Sequence, residues 1–256
     1  MMAENSVQQW NGIKEFKIEK IVPESKEVKS FYLVPCDGSK VVKHKAGQFL
    51  PIRINSEDKN YDGLVRTYSL SMKPNNDYYR LSIKRIEGGK VSSYMHDKVK
   101  EGDTIGARMP FGNFTLKDQP KDMPLVLLSG GIGITPVLSM LEEAVGKRDN
   151  IYFIECEQNT SLMALSDGIK KLAKEGLVKH TIFFDSPLES DVIGKDYDVK
   201  GYISEEWIKD NLPLNGEFYF CGPPIFMKLL NKYLKNLGVA KENRNYEFFG
   251  KPEEME

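Results

Sequence analysis

The sequence predicts two domains, an antiparallel β-barrel followed by an α/β domain built on a parallel sheet. Its 256 residues suffice for two cores of ordinary size. Residues 16–116 read as short β-type runs parted by turn residues, with little helical periodicity before Tyr94. After Lys117-Asp118-Gln119-Pro120-Lys121-Asp122, apolar runs alternate with long helical stretches, the pattern of βαβ units. The expected division is a tail over 1–12, the barrel over 13–118 and the α/β domain over 119–256.

The barrel strands are expected at 31–34, 48–54, 65–71, 78–86 and 104–107. Asn75-Asn76-Asp77 suits the turn of a hairpin between two of them. In Tyr79-Arg80-Leu81-Ser82-Ile83-Lys84 apolar and polar residues alternate, which predicts one face on a core and the other in water. Gly88-Gly89 ends that strand, and a short helix follows with Ser92 or Ser93 as its N-cap. In the second half, strands are expected at 125–128, 151–154, 180–184 and 218–220. Helices are expected at 136–145, 162–175, 204–211 and 224–237, the last stopping at Gly238.

Composition bounds the function classes. With 40% apolar and 29% charged residues the chain falls among folded proteins rather than disordered ones. The 36 basic and 37 acidic residues nearly cancel, so no global field recruits nucleic acid or an anionic membrane. Cys36, Cys156 and Cys221 are odd in number, far apart and without C-x-x-C pairing, which argues against a disulfide framework, a zinc site or a self-contained iron–sulfur cluster. His44, His96 and His180 assemble no metal cluster, so no metal is expected. The polar N-terminus lacks an apolar signal core and no run reaches bilayer length, which predicts a cytoplasmic protein without a membrane span.

Four segments can carry chemistry. Ser129-Gly130-Gly131-Ile132-Gly133-Ile134-Thr135-Pro136 lies where a buried strand meets a helix, a place where backbone N–H groups and the helix dipole suit a phosphate. Its spacing differs from the G-x-G-x-x-G of Rossmann dehydrogenases, and a tight turn needs glycine for backbone reasons alone. Phe220-Cys221-Gly222-Pro223-Pro224 repeats the strand-to-helix arrangement, and in an open parallel sheet ligands gather at the carboxyl ends of strands. Cys221 read by itself is a small buried apolar side chain with no nucleophilic role. Arg66-Thr67-Tyr68-Ser69-Leu70-Ser71 read by itself is a strand with a solvated charge and an aromatic, Tyr68 and Leu70 sharing a face. Gly88-Gly89-Lys90-Val91-Ser92-Ser93 leads into a helix start, another anion seat, and the lone His96 after it reads as a surface or capping residue.

In this order the four segments resemble the ferredoxin-NADP reductase family of flavoproteins, whose hallmarks are R-x-Y-S, a glycine/serine phosphate loop, G-G-x-G-x-T-P and C-G-P. Tyr246-Glu247-Phe248-Phe249-Gly250 is similar to that family's terminal strand, and the likeness runs from about Ile13 to Gly250. Within the family, Ala46-Gly47-Gln48-Phe49, His96-Asp97 and the stretch 220–227 resemble the reductase half of flavohemoglobins. No globin precedes these motifs, so the resemblance is not expected to extend to haem binding or nitric oxide dioxygenation. The cluster spacing of oxygenase reductases and the cysteine-rich tail of dihydroorotate dehydrogenase electron-transfer subunits are also missing, which leaves the acceptor open.

The resemblance implies a Greek-key barrel that binds FAD, favoured over FMN, and an α/β domain that binds NADH or NADPH. Arg66 and Thr67 would meet the flavin phosphates, Arg66 through its planar guanidinium fork. Tyr68 would lie against the isoalloxazine, and Ser69 would hydrogen-bond near N5. Gly89, Lys90, Val91 and Ser92 would hold the flavin pyrophosphate with backbone amides and a hydroxyl. Gly130, Gly131, Gly133 and Thr135 would cradle the nicotinamide nucleotide's pyrophosphate, with Cys221, Gly222 and Pro223 bordering the nicotinamide. Phe249 would occupy the nicotinamide's stacking place until the nucleotide arrives. Ser69, Cys221 and Glu247 form the implied catalytic group, Glu247 influencing the hydride geometry.

NADH is favoured over NADPH because Glu155-Cys156-Glu157-Gln158-Asn159 offers acids and amides where a 2'-phosphate calls for basic groups, although a distant lysine such as Lys195 could supply that charge. The implied partner is a separate haem, iron–sulfur or flavodoxin-like acceptor protein. Two other readings stay open: a reductase of free flavin or ferric chelates, and a redox-sensing or interaction subunit that keeps the fold without the activity.

Overall fold

The computed structural model describes residues 9–249 and divides the chain into two compact units, residues 1–116 and 117–256. Each is described by itself. The first holds strands β1 (Lys14–Pro23), β2 (Val28–Pro35), β3 (Phe49–Arg53), β4 (Val65–Ser69), β5 (Tyr79–Lys84) and β6 (Thr104–Ala107), with helix α1 (Lys90–Asp97) between the last two strands. Its sheet order is β4-β3-β6-β1-β2-β5, and every neighbouring pair is antiparallel. The two ends approach each other where Leu70 bridges Leu81, so the sheet closes on itself. Phe16, Ile18, Phe31, Leu33, Leu50, Ile52, Leu81 and Ile83 fill the interior, and Val91 and Met95 of α1 join them.

Sequence patterning placed most of these strands but missed β1. Its signal was legible, since Phe16 and Ile18 are buried between exposed Glu15, Lys17 and Glu19. The alternation fails after Ile18 because a bulge shifts the register between Ile18 and Lys20, re-aiming the side chains beyond it. The expectation that the polar face of β5 lies in water is corrected at Ser82, which is 3% exposed and bonded to two other hydroxyls. The cap of α1 is Gly89 rather than Ser92 or Ser93, because the helix already begins at Lys90. Trp10, assigned to a tail, packs against Phe16 and donates its indole N–H to the Ala107 carbonyl at 3.2 Å.

The second unit holds β7 (Leu125–Gly130), α2 (Ile134–Ala144), β8 (Ile151–Glu157), α3 (Ser166–Lys174), β9 (Lys179–Phe184), β10 (Val199–Lys200), α4 (Glu205–Asn211), β11 (Glu217–Cys221), α5 (Pro224–Asn236) and β12 (Arg244–Glu247). The strands form a parallel sheet in the order β10-β9-β8-β7-β11-β12. Strand β7 is buried along its whole length, which is why it reads as an unbroken apolar run. Ile208 of α4 and Met227, Leu230 and Leu234 of α5 pack with Val126, Leu128, Phe218 and Phe220 of the sheet. Helix α3 starts at Ser166, four residues after the expected 162, because Leu165 takes a left-handed φ of +67° and breaks the helical path before it. The two-residue β10 escaped sequence patterning because it is too short to show a period. Among the described residues no helix is long and apolar enough to cross a membrane.

Candidate active site

In the first unit the Arg66–Ser69 segment is β4, at one end of the sheet order. Arg66 and Thr67 are exposed, Tyr68 is half-buried against the barrel core, and Ser69 is 6% exposed. Burial pushes the Tyr68 phenol up to about 12 while the positive charge of Arg66 pulls the other way. Tyr68 is therefore a neutral aromatic face beside a solvent-facing cation, a pair suited to a flat ring carrying phosphates.

Helix α1 begins after Gly89 with no side-chain cap, so the amides of its first turn are not spent on a capping side chain. Lys90 is exposed, whereas Val91 and Ser92 are buried. The Ser92 hydroxyl works within the turn, accepting the Ile86 N–H and donating to the Gly89 carbonyl, both at 3.2 Å. A Cβ on Gly89 would stand 2.6 Å from that hydroxyl, so glycine is what lets the turn close. The hydroxyl implied for the flavin pyrophosphate is thus engaged internally, and the amides with Arg66 are the groups that fit a diphosphate. His96, read as a surface or capping residue, is half-buried and bonds the Ile83 carbonyl at 2.7 Å, fastening α1 to β5.

In the second unit two turns interlock. Strand β7 ends at Gly130 and passes through one turn of 3-10 helix, Gly131–Gly133, into α2, again with no side-chain cap. The adjacent parallel strand β11 ends at Cys221, and Gly222 and Pro223 lead into α5. A Cβ on Gly133 would lie 2.1 Å from the Cys221 oxygen and 2.7 Å from the Gly222 nitrogen. A Cβ on Gly222 would lie 2.6 Å from Phe226 and 3.1 Å from the Gly130 backbone. These glycines are needed because the two turns meet backbone to backbone.

Gly131 differs from them. Its φ is +53° and only the Glu157 carboxylate comes near, at 3.5 Å from a built Cβ, so its side is open to a ligand. Thr135 is 2% exposed and donates to the Ile132 carbonyl at 3.0 Å, which shapes the turn from within.

Strand β12 lies beside β11 with Glu247 opposite Cys221. The Cys221 thiol is fully buried and donates to the Glu247 carbonyl at 3.3 Å. Burial raises its pKa well above the usual thiol value, so it stays protonated. Burial also raises the Glu247 carboxyl to about 7. The unfolded chain releases that proton near 4.5 and the folded one near 7, so this carboxyl favours the fold fully below 4.5 and the contribution is lost as pH rises through 7. Glu247→Gln should therefore flatten the fall in stability between pH 5 and 7, read from urea midpoints across that range. An unchanged slope would place the titration elsewhere. Phe249 is 45% exposed, while Gly250 lies outside the described residues.

The acid-rich segment after β8 does not act as a block. Glu155 is 2% exposed and accepts from the Ser166 hydroxyl, with His180 Nε2 at 3.2 Å from its carboxylate. Glu157 is the carboxylate that borders the glycine turn. Strand alternation alone could not separate them, since residues two apart share a face.

Residues 15–116 match a family model described as an oxidoreductase FAD-binding domain, and residues 127–232 one described as an oxidoreductase NAD-binding domain. The solved Flavohem-like FAD/NAD-binding domain of nitric oxide dioxygenase from Vibrio cholerae O1 biovar El Tor superposes with a TM-score of 0.82 at 30% identity, over 93% of this chain and 99% of that one. The chain belongs to the ferredoxin-NADP reductase family. A flavohemoprotein of Bacillus cereus is 41% identical over 250 residues, 94% of this chain and 62% of that protein. A flavohemoglobin of Malassezia yamatoensis, solved with bound FAD and haem, superposes with a TM-score of 0.78 at 26% identity, over 93% of this chain and 60% of that one. The chain thus spans about 62% of the curated relative's length. It carries an oxidoreductase FAD-binding barrel and an oxidoreductase NAD-binding α/β unit.

Proposed function

We propose that this reductase draws hydride from NADH onto FAD and delivers the electrons to the haem or iron–sulfur centre of a separate acceptor protein. The observation that carries the reading is the interlocked pair of turns at the ends of β7 and β11, which leaves the Gly131 side of the glycine turn open to a diphosphate. Bound FAD supplies the conversion of a two-electron donor's hydride into single electrons.

The chain's own residues bind and orient. Arg66, Thr67, the turn at Gly89 and the first amides of α1, at Lys90, Val91 and Ser92, would hold the flavin's diphosphate. Tyr68 would pack on its ring and Ser69 would donate at its N5 edge. Gly130, Gly131, Gly133 and Thr135 form the turn that receives the nucleotide's diphosphate. Cys221, Gly222 and Pro223 would border the nicotinamide, Phe249 would keep its stacking place, and Glu247, opposite Cys221 on β12, would set a carboxyl beside it. Flavohemoprotein relatives motivate a haem acceptor, and phthalate dioxygenase reductase, a fold neighbour that transfers electrons from pyridine nucleotides to a [2Fe-2S] centre, motivates an iron–sulfur one.

Anaerobic mixing of the purified FAD-loaded protein with each nucleotide tests the reading. NADH should bleach the flavin's visible band, and NADPH should do so more slowly. If neither bleaches it, the proposal is wrong. Loss of flavin on gel filtration, with turnover restored by added flavin, would point instead to a reductase of free flavin.

The NADH preference rests on Glu157, whose carboxylate beside Gly131 opposes a further phosphate on the ribose. Glu157→Gln should raise NADPH efficiency relative to NADH about fivefold, or ~1 kcal/mol. An unmoved kcat/KM ratio would remove Glu157 from the selection.

A further inference from the structure

Three buried serines close the barrel just beyond the Arg66–Ser69 strand. Ser30, Ser71 and Ser82 are each at most 3% exposed, beside a barrel core built mainly of apolar side chains. Ser30 and Ser82 stand opposite each other on β2 and β5, with their hydroxyl oxygens 2.7 Å apart. The Ser71 hydroxyl lies 2.8 Å from that of Ser82 and donates to the Arg80 carbonyl at 3.2 Å. Arg80 answers with its Nε, which donates to the Ser71 hydroxyl at 3.2 Å, and with a guanidinium nitrogen bonded to the Ser71 carbonyl.

One consistent arrangement has Ser71 donating to the Arg80 carbonyl, Ser82 to Ser71 and Ser30 to Ser82, so that every hydroxyl is satisfied. Buried hydroxyls are costly unless bonded, and here each is bonded at the point where backbone pairing is sparse. Among the described residues, the backbone pairing between the ends of the sheet consists of the Leu70–Leu81 bridge and the Ser71 N–H to Arg80 carbonyl bond of 3.0 Å. The side chains supply the closure that a full ladder would give elsewhere. Leu70 belongs to the interior, and it is flanked in sequence by Ser69, the last residue of β4, and by Ser71, both buried.

We propose that Ser82, held by Ser30 and holding Ser71, is a positioning residue for the flavin: the hydroxyl chain pins the end of the Arg66–Ser71 segment so that Ser69 presents its donor at a set place. This rests on the placement of Ser69 beside the flavin ring, and the test separates the two.

The FAD-loaded protein and its Ser69→Ala, Ser82→Ala and Ser30→Ala variants are compared by FAD dissociation constant and by the spectroelectrochemical midpoint potential of the bound flavin. Ser69→Ala should move the potential. Ser82→Ala should move it in the same direction and weaken FAD binding about three- to tenfold, the effect of one or two lost buried hydrogen bonds. Ser30→Ala, at the far end, should do the same more weakly, and Ser82→Thr, which keeps the hydroxyl, should return both readouts toward wild type. A barrel-core control, Ile18→Val, should lower thermal stability and leave the potential unmoved. If Ser69→Ala shifts the potential and Ser82→Ala lowers stability alone, the relay is structural and the proposal fails. If Ser69→Ala shifts nothing, the placement of Ser69 fails and the proposal with it.

Discussion

Arg66→Ala is expected to weaken FAD binding about 30- to 150-fold, the ~2–3 kcal/mol of a charge-assisted hydrogen-bonded pair with phosphate. Arg66 is exposed and outside the barrel core, so its removal should leave folding intact and act on the ligand alone. Titrating the apoprotein with FAD while following flavin fluorescence gives the constant directly. Arg66→Lys should recover only part of the loss, because an ammonium keeps the charge but not the planar fork. Equal affinity in wild type and Arg66→Ala would take the residue out of the site.

The second large effect belongs to Gly133→Ala. Its methyl group would meet the backbone of Cys221 and Gly222 at 2.1 and 2.7 Å, and two strand ends anchored in a parallel sheet cannot yield as a flexible side chain can. A loss of about 3 kcal/mol or more is expected in urea unfolding, together with loss of flavin reduction by NADH. Gly131→Ala is the contrasting variant. It has room on its open side and meets only the strain of a positive φ, about 1–2 kcal/mol. It should fold and still slow the reaction with NADH, since its methyl group would stand where the nucleotide approaches. If Gly131→Ala unfolds more readily than Gly133→Ala, the interlock of the two turns is wrong.

Both variants lie in motifs that the sequence displayed openly, yet their contrast was not legible there. Gly130, Gly131 and Gly133 look alike in a string, and the family resemblance assigned them a common task. The register of β11 on β7 separates them, because it sets Cys221 opposite Ser129 and so drives one turn against the other. Ser92 and Thr135 carried the same ambiguity, and in the structure both hydroxyls bond within their own turns. Ser82 reversed its expectation altogether. Alternation put it in water, and the closing of the barrel buried it.

Local pattern by itself determined the division into a β half and an α/β half and most strands and helices, and the order of the glycine-bearing and R-x-Y-S segments carried the family resemblance. Periodicity and glycine placement are properties of neighbouring residues, and they survive without a fold. Tertiary structure alone decided which glycine is open, which of Glu155 and Glu157 borders the turn, and how Ser30, Ser71 and Ser82 come to share hydrogen bonds. Those are contacts between residues 11 to 92 positions apart, from Ser71–Ser82 and Glu155–Ser166 to Gly130–Gly222, created only when strands pair in a particular order and register.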